Sequence, residues 1–479
     1  MIPDRLSTRP AHAQFTTLLA VTTVAVYATI AFGAAVASGP ARVCSGWPIC
    51  SPPADAAVSV GFALVVGHRA LTVLTGLLLV AVLLAARSVD LDRRARYALF
   101  GGAAAFPVQV GIGALVVLGD TAYVTELHLA VAAAVFLALL TALSWTLEDG
   151  ERTRAADTIR IDPETGTSSE SWASGGETTA TDAGSGSAST AGLRTYLELT
   201  KPRLMWLLCL LALAGMALAT TTGAWPAGTT VAATLAGGVL AIGASGTFNH
   251  LFERDRDRRM ERTADRPVAT DEIPARNAAA FGLSLAALSM AVMAAFVNAL
   301  AAGLTVAAIL YYSVVYTVVL KPNTSWNIAI GGGSGALPAL IGWVAVTGSV
   351  GLGGLLLAAL VVVWTPAHFY NLAIVYREDY ARAGYPMFPV VAGVAAARRR
   401  ILLTLGGTLL VTASLVATTP LGPLFATAAV LAGGVFLGSV VSQCRSRTRE
   451  ATMRSFYASN AYLGVVLLAI VVETLLLVP

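Results

Sequence analysis

Long apolar runs alternate with short polar ones along this chain, and the runs have the length of membrane-spanning helices. A spanning helix needs about 20 predominantly apolar residues. Thirteen stretches qualify: 15–38, 58–86, 98–118, 123–146, 204–220, 229–252, 277–296, 299–320, 326–346, 350–375, 401–418, 422–442 and 456–478. Glycine recurs inside them, as in membrane helices that pack closely. The polar segments carry a second pattern. With the N-terminus inside and the spans alternating, 29 of the 31 Lys and Arg fall on inner segments. The other two are Arg42, in an outer loop, and Arg69, within the second span. Positive residues stay on the cytoplasmic side of membrane proteins. The pattern therefore predicts a multi-pass protein of the cell membrane with a cytoplasmic N-terminus and an outer C-terminus. The first run is too long for a signal peptide and lacks a clear cleavage pattern, so it reads as the first span.

One segment breaks the alternation. Residues 163–190 are rich in Ser, Thr, Gly and acids and cannot bury an apolar face, so 148–193 is expected to be a disordered cytoplasmic linker. The predicted fold is all-α, with a four-span unit (1–147), that linker and a nine-span unit (194–479). No internal repeat stands out.

Composition agrees. Only 12% of the 479 residues are charged, 56% are apolar, and the mean hydropathy is +0.73. An average soluble protein carries about 25% charged residues. Soluble enzymes, nucleic-acid binders and disulfide scaffolds are thereby excluded, and the lipid bilayer is a partner throughout. The net charge of +4 calls for no polyanionic partner.

Against this background the inner loop after span six is dense in charge. Asn249, Glu253 and Asp257 lie at i, i+4 and i+8 and share one helix face at the cytoplasmic mouth. Hard divalent cations take oxygen ligands, and Mg²⁺ typically uses one or two carboxylates plus substrate phosphates. Adjacent arginines could pair with phosphate oxygens. The alternative is a solvated loop with helix-end salt bridges. A second dense inner stretch follows span ten and contains Tyr376, Arg377 and Asp379. Two acidic sites facing each other across a cavity would suit a diphosphate held by metal ions; a capped helix end with a Pro-stiffened turn is the alternative.

These motifs, with Tyr196 to Arg203, Tyr316 to Lys321, Gly331 to Pro338, Gly342-Trp343, and Asp379-Tyr380 followed by Ala383-Gly384, Pro386-Met387 and Pro389, resemble the UbiA-type intramembrane prenyltransferases. The resemblance runs from Tyr196 to about Tyr462. His368-Phe369 and the Ala383 to Met387 run are similar to the branch that acts on heme. Glu253 stands where the family usually has Asp. The resemblance implies a nine-helix bundle that moves the farnesyl group of farnesyl diphosphate to a vinyl group of heme B, giving heme O. It implies Mg²⁺ on Asn249, Glu253, Asp257 and Asp379 as the catalytic set. Lys201, Arg262, Lys321 and Arg377 are the implied diphosphate clamps. Tyr311, Tyr312, Tyr316, Trp343 and Trp364 are available to stabilise an allylic cation; packing in the core or against lipid is the alternative. His368 could touch the heme or be a packed, hydrogen-bonded histidine. His250 reads as structural and His12 as an exposed terminal residue. The alternative acceptors are a quinone precursor or a lipid.

In the four-span unit, His68 and His128 sit near the outer ends of spans two and four, at similar depth. Paired imidazoles in a four-helix bundle could ligate a heme, with Arg69 near a propionate; core packing is the alternative. Cys44 and Cys50 lie in an outer loop, where a disulfide could form. Over residues 15–146 this unit resembles half of a heme A synthase, sharing the C-x-x-W-P-x-C loop and a His-Arg pair. Val65 stands where that family usually has glutamate, which puts the oxidation of heme O to heme A in doubt. A bifunctional enzyme, or a unit passing heme to a heme A synthase or a terminal oxidase assembly, remains open. A transporter or redox anchor is the competing class, but a transporter would carry its charges nearer the midplane.

Overall fold

A computed structural model describes residues 8–38, 46–49, 60–119, 122–161, 192–223 and 225–477. The helices are α1 (Thr8–Ser38), α2 (Val60–Ala85), α3 (Arg93–Leu118), α4 (Ala122–Ile161), α5 (Leu193–Leu199), α6 (Pro202–Thr220), α7 (Gly228–Asp257), α8 (Ala275–Phe296), α9 (Ala299–Leu310), α10 (Lys321–Asn323), α11 (Asn327–Thr347), α12 (Leu352–Val375), α13 (Arg377–Arg382), α14 (Phe388–Val391), α15 (Val394–Thr418), α16 (Pro423–Ser446) and α17 (Arg449–Leu477). Among the described residues there is no strand. In hydrocarbon every backbone amide must find a partner within its own segment or a closed sheet, and a helix meets that demand locally. Thirteen helical segments are long and apolar enough to cross a bilayer, in the places the hydropathy predicts. The chain is an all-α, multi-pass membrane protein.

Two findings depart from the predicted organisation. Residues 148–161, expected to begin the structureless linker, continue α4 to Ile161. The run from 151 to 161 holds neither Gly nor Pro, and its Glu, Arg and Ala favour helix. Cys44, Cys50 and the rest of the linker up to residue 191 lie outside the described residues. The four-span unit is also not separate from the nine-span unit. α1 packs on α15 and α16, and α4 on α15. Arg445 donates to the Ala13 carbonyl at 3.1 Å and the Thr17 hydroxyl at 3.0 Å. Tyr27 is buried beside Phe136, with ring centroids 6.0 Å apart, and reaches Gly433 on α16.

In the nine-span unit, α6 pairs with α11, α7 with α8, α11 with α12, α12 with α15 and α16 with α17, while α17 returns to α6 and α12. The closest crossing is α6 on α11. A Cβ on Gly342 would fall inside the carbonyl of Ala212, and one on Gly215 inside the carbonyl of Ala339. Between α9 and α10 the helix widens into π-type turns over Tyr311–Leu320. Thr317 Oγ1 bonds the Tyr312 carbonyl five residues back, at 2.8 Å. Such turns rotate the side chains beyond them relative to an ideal helix. Here the turns precede Lys321.

Candidate active site

The cluster is assembled at the ends of α6, α7, α10 and α13, on the face that the charge pattern assigns to the cytoplasm. α7 runs unbroken to Asp257, so Asn249, Glu253 and Asp257 form one stripe, and all three are buried. Lys201 enters from the α5–α6 turn. Its φ of 53° is left-handed, an uncommon state for a residue with a Cβ. Gly246 on α7 lets that turn close: a Cβ there would meet the Leu199 carbonyl at 2.7 Å.

Each predicted ligand oxygen meets a cation. Lys201 Nζ donates to Asn249 Oδ1 and lies 3.4 Å from the Tyr312 hydroxyl. Lys321 Nζ pairs with Glu253 Oε1. Arg266 Nη1 pairs with Asp257 Oδ2 at 2.8 Å and lies 3.9 Å from Glu253 Oε2. Arg382 Nη2 pairs with Asp379 Oδ1. Asn249 Nδ2 donates to Thr317 Oγ1 at 3.2 Å, which ties the stripe to the π-type turns. Asp379 approaches the first acidic site through the Glu261 amide at 3.4 Å, four residues past Asp257. Arg258 fixes the intervening loop, bonding the Ala269 carbonyl and Asp271 at 2.6 Å each.

Burial pushes the Lys201 ammonium down to about 7, Arg266 adding to the effect and Glu253 opposing it. Burial likewise pushes the Tyr385 hydroxyl up, with the Glu253 charge adding to it. The Tyr385 ring lies 4.7 Å from Lys321 and 5.0 Å from Arg256, giving both cations an aromatic face.

The predicted residues divide. Asn249, Glu253, Asp257, Lys201 and Lys321 come together, and Asp379 joins from α13. Among the described residues, no three of His, Cys, Asp and Glu converge as a preformed metal cage. Arg262 is exposed over the rings of Tyr376 and Tyr380, at 4.7 and 5.9 Å. Arg377 is exposed on α13. His368 is a buried α12 residue stacked on Trp364 and Phe456, each 4.4 Å away, and bonded through Nδ1 to Ser459 Oγ at 2.7 Å. Trp364 belongs to that stack and donates to the Ser459 carbonyl at 3.0 Å. Trp343 is wedged under Gly351, Gly353 and Gly354, at the opposite end of α11 from the cluster. Of the five aromatics, Tyr312 touches the site through Lys201, and Tyr316 lies beside it, ring centroids 5.6 Å apart. Reasoning from sequence missed Arg266, Arg382 and Tyr385. The first lies nine residues after Asp257 and the others three and six residues after Asp379, so their proximity to the acids was the available signal.

In the four-span unit, α1 pairs with α2 and α3 with α4. The two hairpins seat their histidines alike. A Cβ on Gly33 would meet the His68 ring at 2.8 Å, and one on Gly113 the His128 ring at 2.9 Å. Gln109 Nε2 contacts His128 Nδ1 at 2.9 Å and donates to its carbonyl at 2.8 Å. His68 Nδ1 is buried without a hydrogen-bond partner. Arg69 Nη1 donates to the Pro48 carbonyl at 3.0 Å.

Residues 208–464 match the family model described as the UbiA prenyltransferase family, which is more than half of the chain. The chain belongs to the UbiA prenyltransferase family. A relative from Natronomonas pharaonis named protoheme IX farnesyltransferase 2 is 54% identical over 409 residues, covering 84% of this chain and 89% of its own. Another from the same organism, protoheme IX farnesyltransferase 1, is 49% identical over 463 residues, 96% of this chain and 98% of its own. Protoheme IX farnesyltransferase 1 of Saccharopolyspora erythraea is 43% identical over 291 residues, 60% of this chain and 92% of its own.

Proposed function

We propose that this chain transfers the farnesyl group of farnesyl diphosphate to a vinyl group of heme B, giving heme O, at the α6–α7–α10–α13 cluster. The relatives' names and the family support the reaction. The observation that carries the site is the buried row of Asn249, Glu253 and Asp257 interleaved with Lys201, Lys321 and Arg266. The donor set fits Mg²⁺: two carboxylates and an amide oxygen on one helix face leave room for phosphate oxygens to complete the shell. Bound there by Asn249, Glu253 and Asp257, with Asp379 beside them, Mg²⁺ would supply charge neutralisation for the leaving diphosphate.

The chain's own residues do the rest. Lys201, Lys321 and Arg266 aim positive charge where negative charge grows as the C–O bond breaks, the most effective form of electrostatic catalysis. Lys321 is buried and Lys201 and Arg266 are partly so, which limits how far water screens that charge. Arg262 stands at the rim. Tyr312 and Tyr316 offer π-faces to the allylic cation. The vinyl carbon of heme B attacks that cation, and water completes the hydroxyethylfarnesyl product. Membranes containing the chain, given heme B and farnesyl diphosphate, should form a farnesylated heme by mass, and only with Mg²⁺ present. Labelling of a quinone or lipid instead, with no heme product, would refute the acceptor assignment.

The division into a heme-handling unit (1–147), a linker and a prenyltransferase unit (194–479) is part of this reading. The Saccharopolyspora relative supports it, since its matched length is close to that of the nine-span unit. The orientation, with both acidic sites and the N-terminus in the cytoplasm, is part of the same reading. A heme held by His68 and His128 is the second element, favoured by the two glycine-seated rings and the unpartnered His68 Nδ1. Purified protein should carry a bis-imidazole heme spectrum that His68→Ala removes; an unchanged spectrum in that variant would exclude His68 as a ligand.

A further inference from the structure

Each residue assigned to the metal has one oxygen bonded to a cationic side chain: Asn249 Oδ1 to Lys201, Glu253 Oε1 to Lys321, Asp257 Oδ2 to Arg266 at 2.8 Å, and Asp379 Oδ1 to Arg382. We infer that a divalent cation and the chain's own ammonium and guanidinium groups compete for these four oxygens, so that metal and diphosphate bind as a strongly coupled pair. The inference rests on the metal-site reading above and adds to it how the site is loaded.

The argument is electrostatic. Glu253, Asp257 and Asp379, with Glu261 3.4 Å from Arg382, face Lys201, Lys321, Arg266 and Arg382, so the cluster is close to charge balance. A divalent ion arriving alone would add two charges to a cluster already balanced, in a largely buried place where charges interact strongly. It would also have to break existing ion pairs. A diphosphate reverses both terms. Its oxygens accept from Lys and Arg as well as a carboxylate does, so the displaced cations gain new partners while the carboxylates turn to the metal. Glu253 is the most exposed to this competition, with Lys321 on Oε1 and Arg266 3.9 Å from Oε2. Glutamate's extra methylene, compared with the family's usual aspartate, gives it the reach to change partners.

The competition makes a prediction opposite in sign to a simple clamp. Removing Lys321 weakens the grip on diphosphate but frees Glu253, so affinity for the metal alone should rise. The test is Mn²⁺ binding to the full chain in nanodiscs, followed by electron paramagnetic resonance with and without inorganic pyrophosphate. In the wild type, pyrophosphate should tighten Mn²⁺ by about tenfold or more, within the ordinary range for coupled sites. In Lys321→Met, Mn²⁺ alone should bind several-fold more tightly than in the wild type, and the gain from pyrophosphate should shrink. Lys321→Arg, which keeps the charge, should behave like the wild type. Should Lys321→Met fail to fold, Arg266→Gln carries the same expectation through Asp257. Equal Mn²⁺ affinity with and without pyrophosphate in the wild type, or no tightening in the variants, would overturn the inference. Glu253→Gln separates it from the reading beneath: unchanged pyrophosphate-assisted Mn²⁺ binding there would mean that Glu253 is not a ligand at all.

Discussion

Asp257→Ala should insert into the membrane and fold, yet form heme O at about 10²–10³-fold lower rate, the usual cost of removing a preorganised electrostatic group. Asp257 ends the α7 stripe, is buried, and holds Arg266 at 2.8 Å. On the proposed reading, its loss removes one metal ligand and the anchor of a phosphate-binding guanidinium together. The fold should survive because Thr263 also bonds the Asp257 backbone carbonyl, at 3.2 Å, a contact that alanine keeps. Arg266 is about one-fifth exposed, so its unpaired charge can reach water. The stability cost should stay below the 3–5 kcal/mol typical of breaking a fully buried pair. Arg377→Ala, at an exposed position, should change the rate little. Heme O formation in membranes at matched protein levels, with thermal unfolding of the purified variants, checks all three statements. Full activity in Asp257→Ala would remove this cluster as the site.

The second large effect is structural. Gly342→Leu should unfold the nine-span unit at far lower temperature than the wild type, or prevent its accumulation, although residue 342 lies near the other end of α11 from the cluster. At this crossing backbone meets backbone: the new Cβ would overlap the Ala212 carbonyl, and Gly215 faces Ala339 in the same way. Overpacking costs about 1–3 kcal/mol where side chains can yield. Here nothing can yield except the separation of α6 from α11. α11 also seats Tyr316 against Gly331, Thr365 against Gly332 and Tyr311 against Gly333, so the loss spreads to the π-type turns beneath Lys321. Gly238→Ala is the control. A Cβ there meets nothing within 4 Å, and alanine in a helix is favoured by roughly 0.5–1 kcal/mol. A thermal melt in detergent that placed Gly342→Leu beside Gly238→Ala would show that the crossing does not hold the bundle.

The acidic stripe was legible in the sequence because its spacing is local: residues four apart on a helix share a face whatever surrounds them. Lys201 and Lys321 were legible as cations in motifs, though their partners were not. Arg266 shows why. It is one arginine among several in a charged loop, and its choice of carboxylate depends on how the loop closes through Arg258, Ala269 and Asp271. Trp343 and Trp364 mark the opposite error. As aromatics in motifs they qualified as cation stabilisers, but α12 glycines pack around one and the His368 stack holds the other. The helix through 148–161 went unread because compositional bias further along the linker was extended backward over residues that favour helix.

By itself the sequence determined the thirteen spans and the stripe, since hydrocarbon forces each span to satisfy its backbone within itself and a helix sets its own periodicity. Only the tertiary structure decided which cation meets which oxygen, which aromatics reach the site, and that α1 and α4 lean on α15 and α16. Apart from Arg266 with Asp257 and Arg382 with Asp379, nine and three residues apart, those are contacts between segments far apart in the chain. They depend on where glycines let backbones approach, as at Gly215 and Gly342, and no local pattern encodes that.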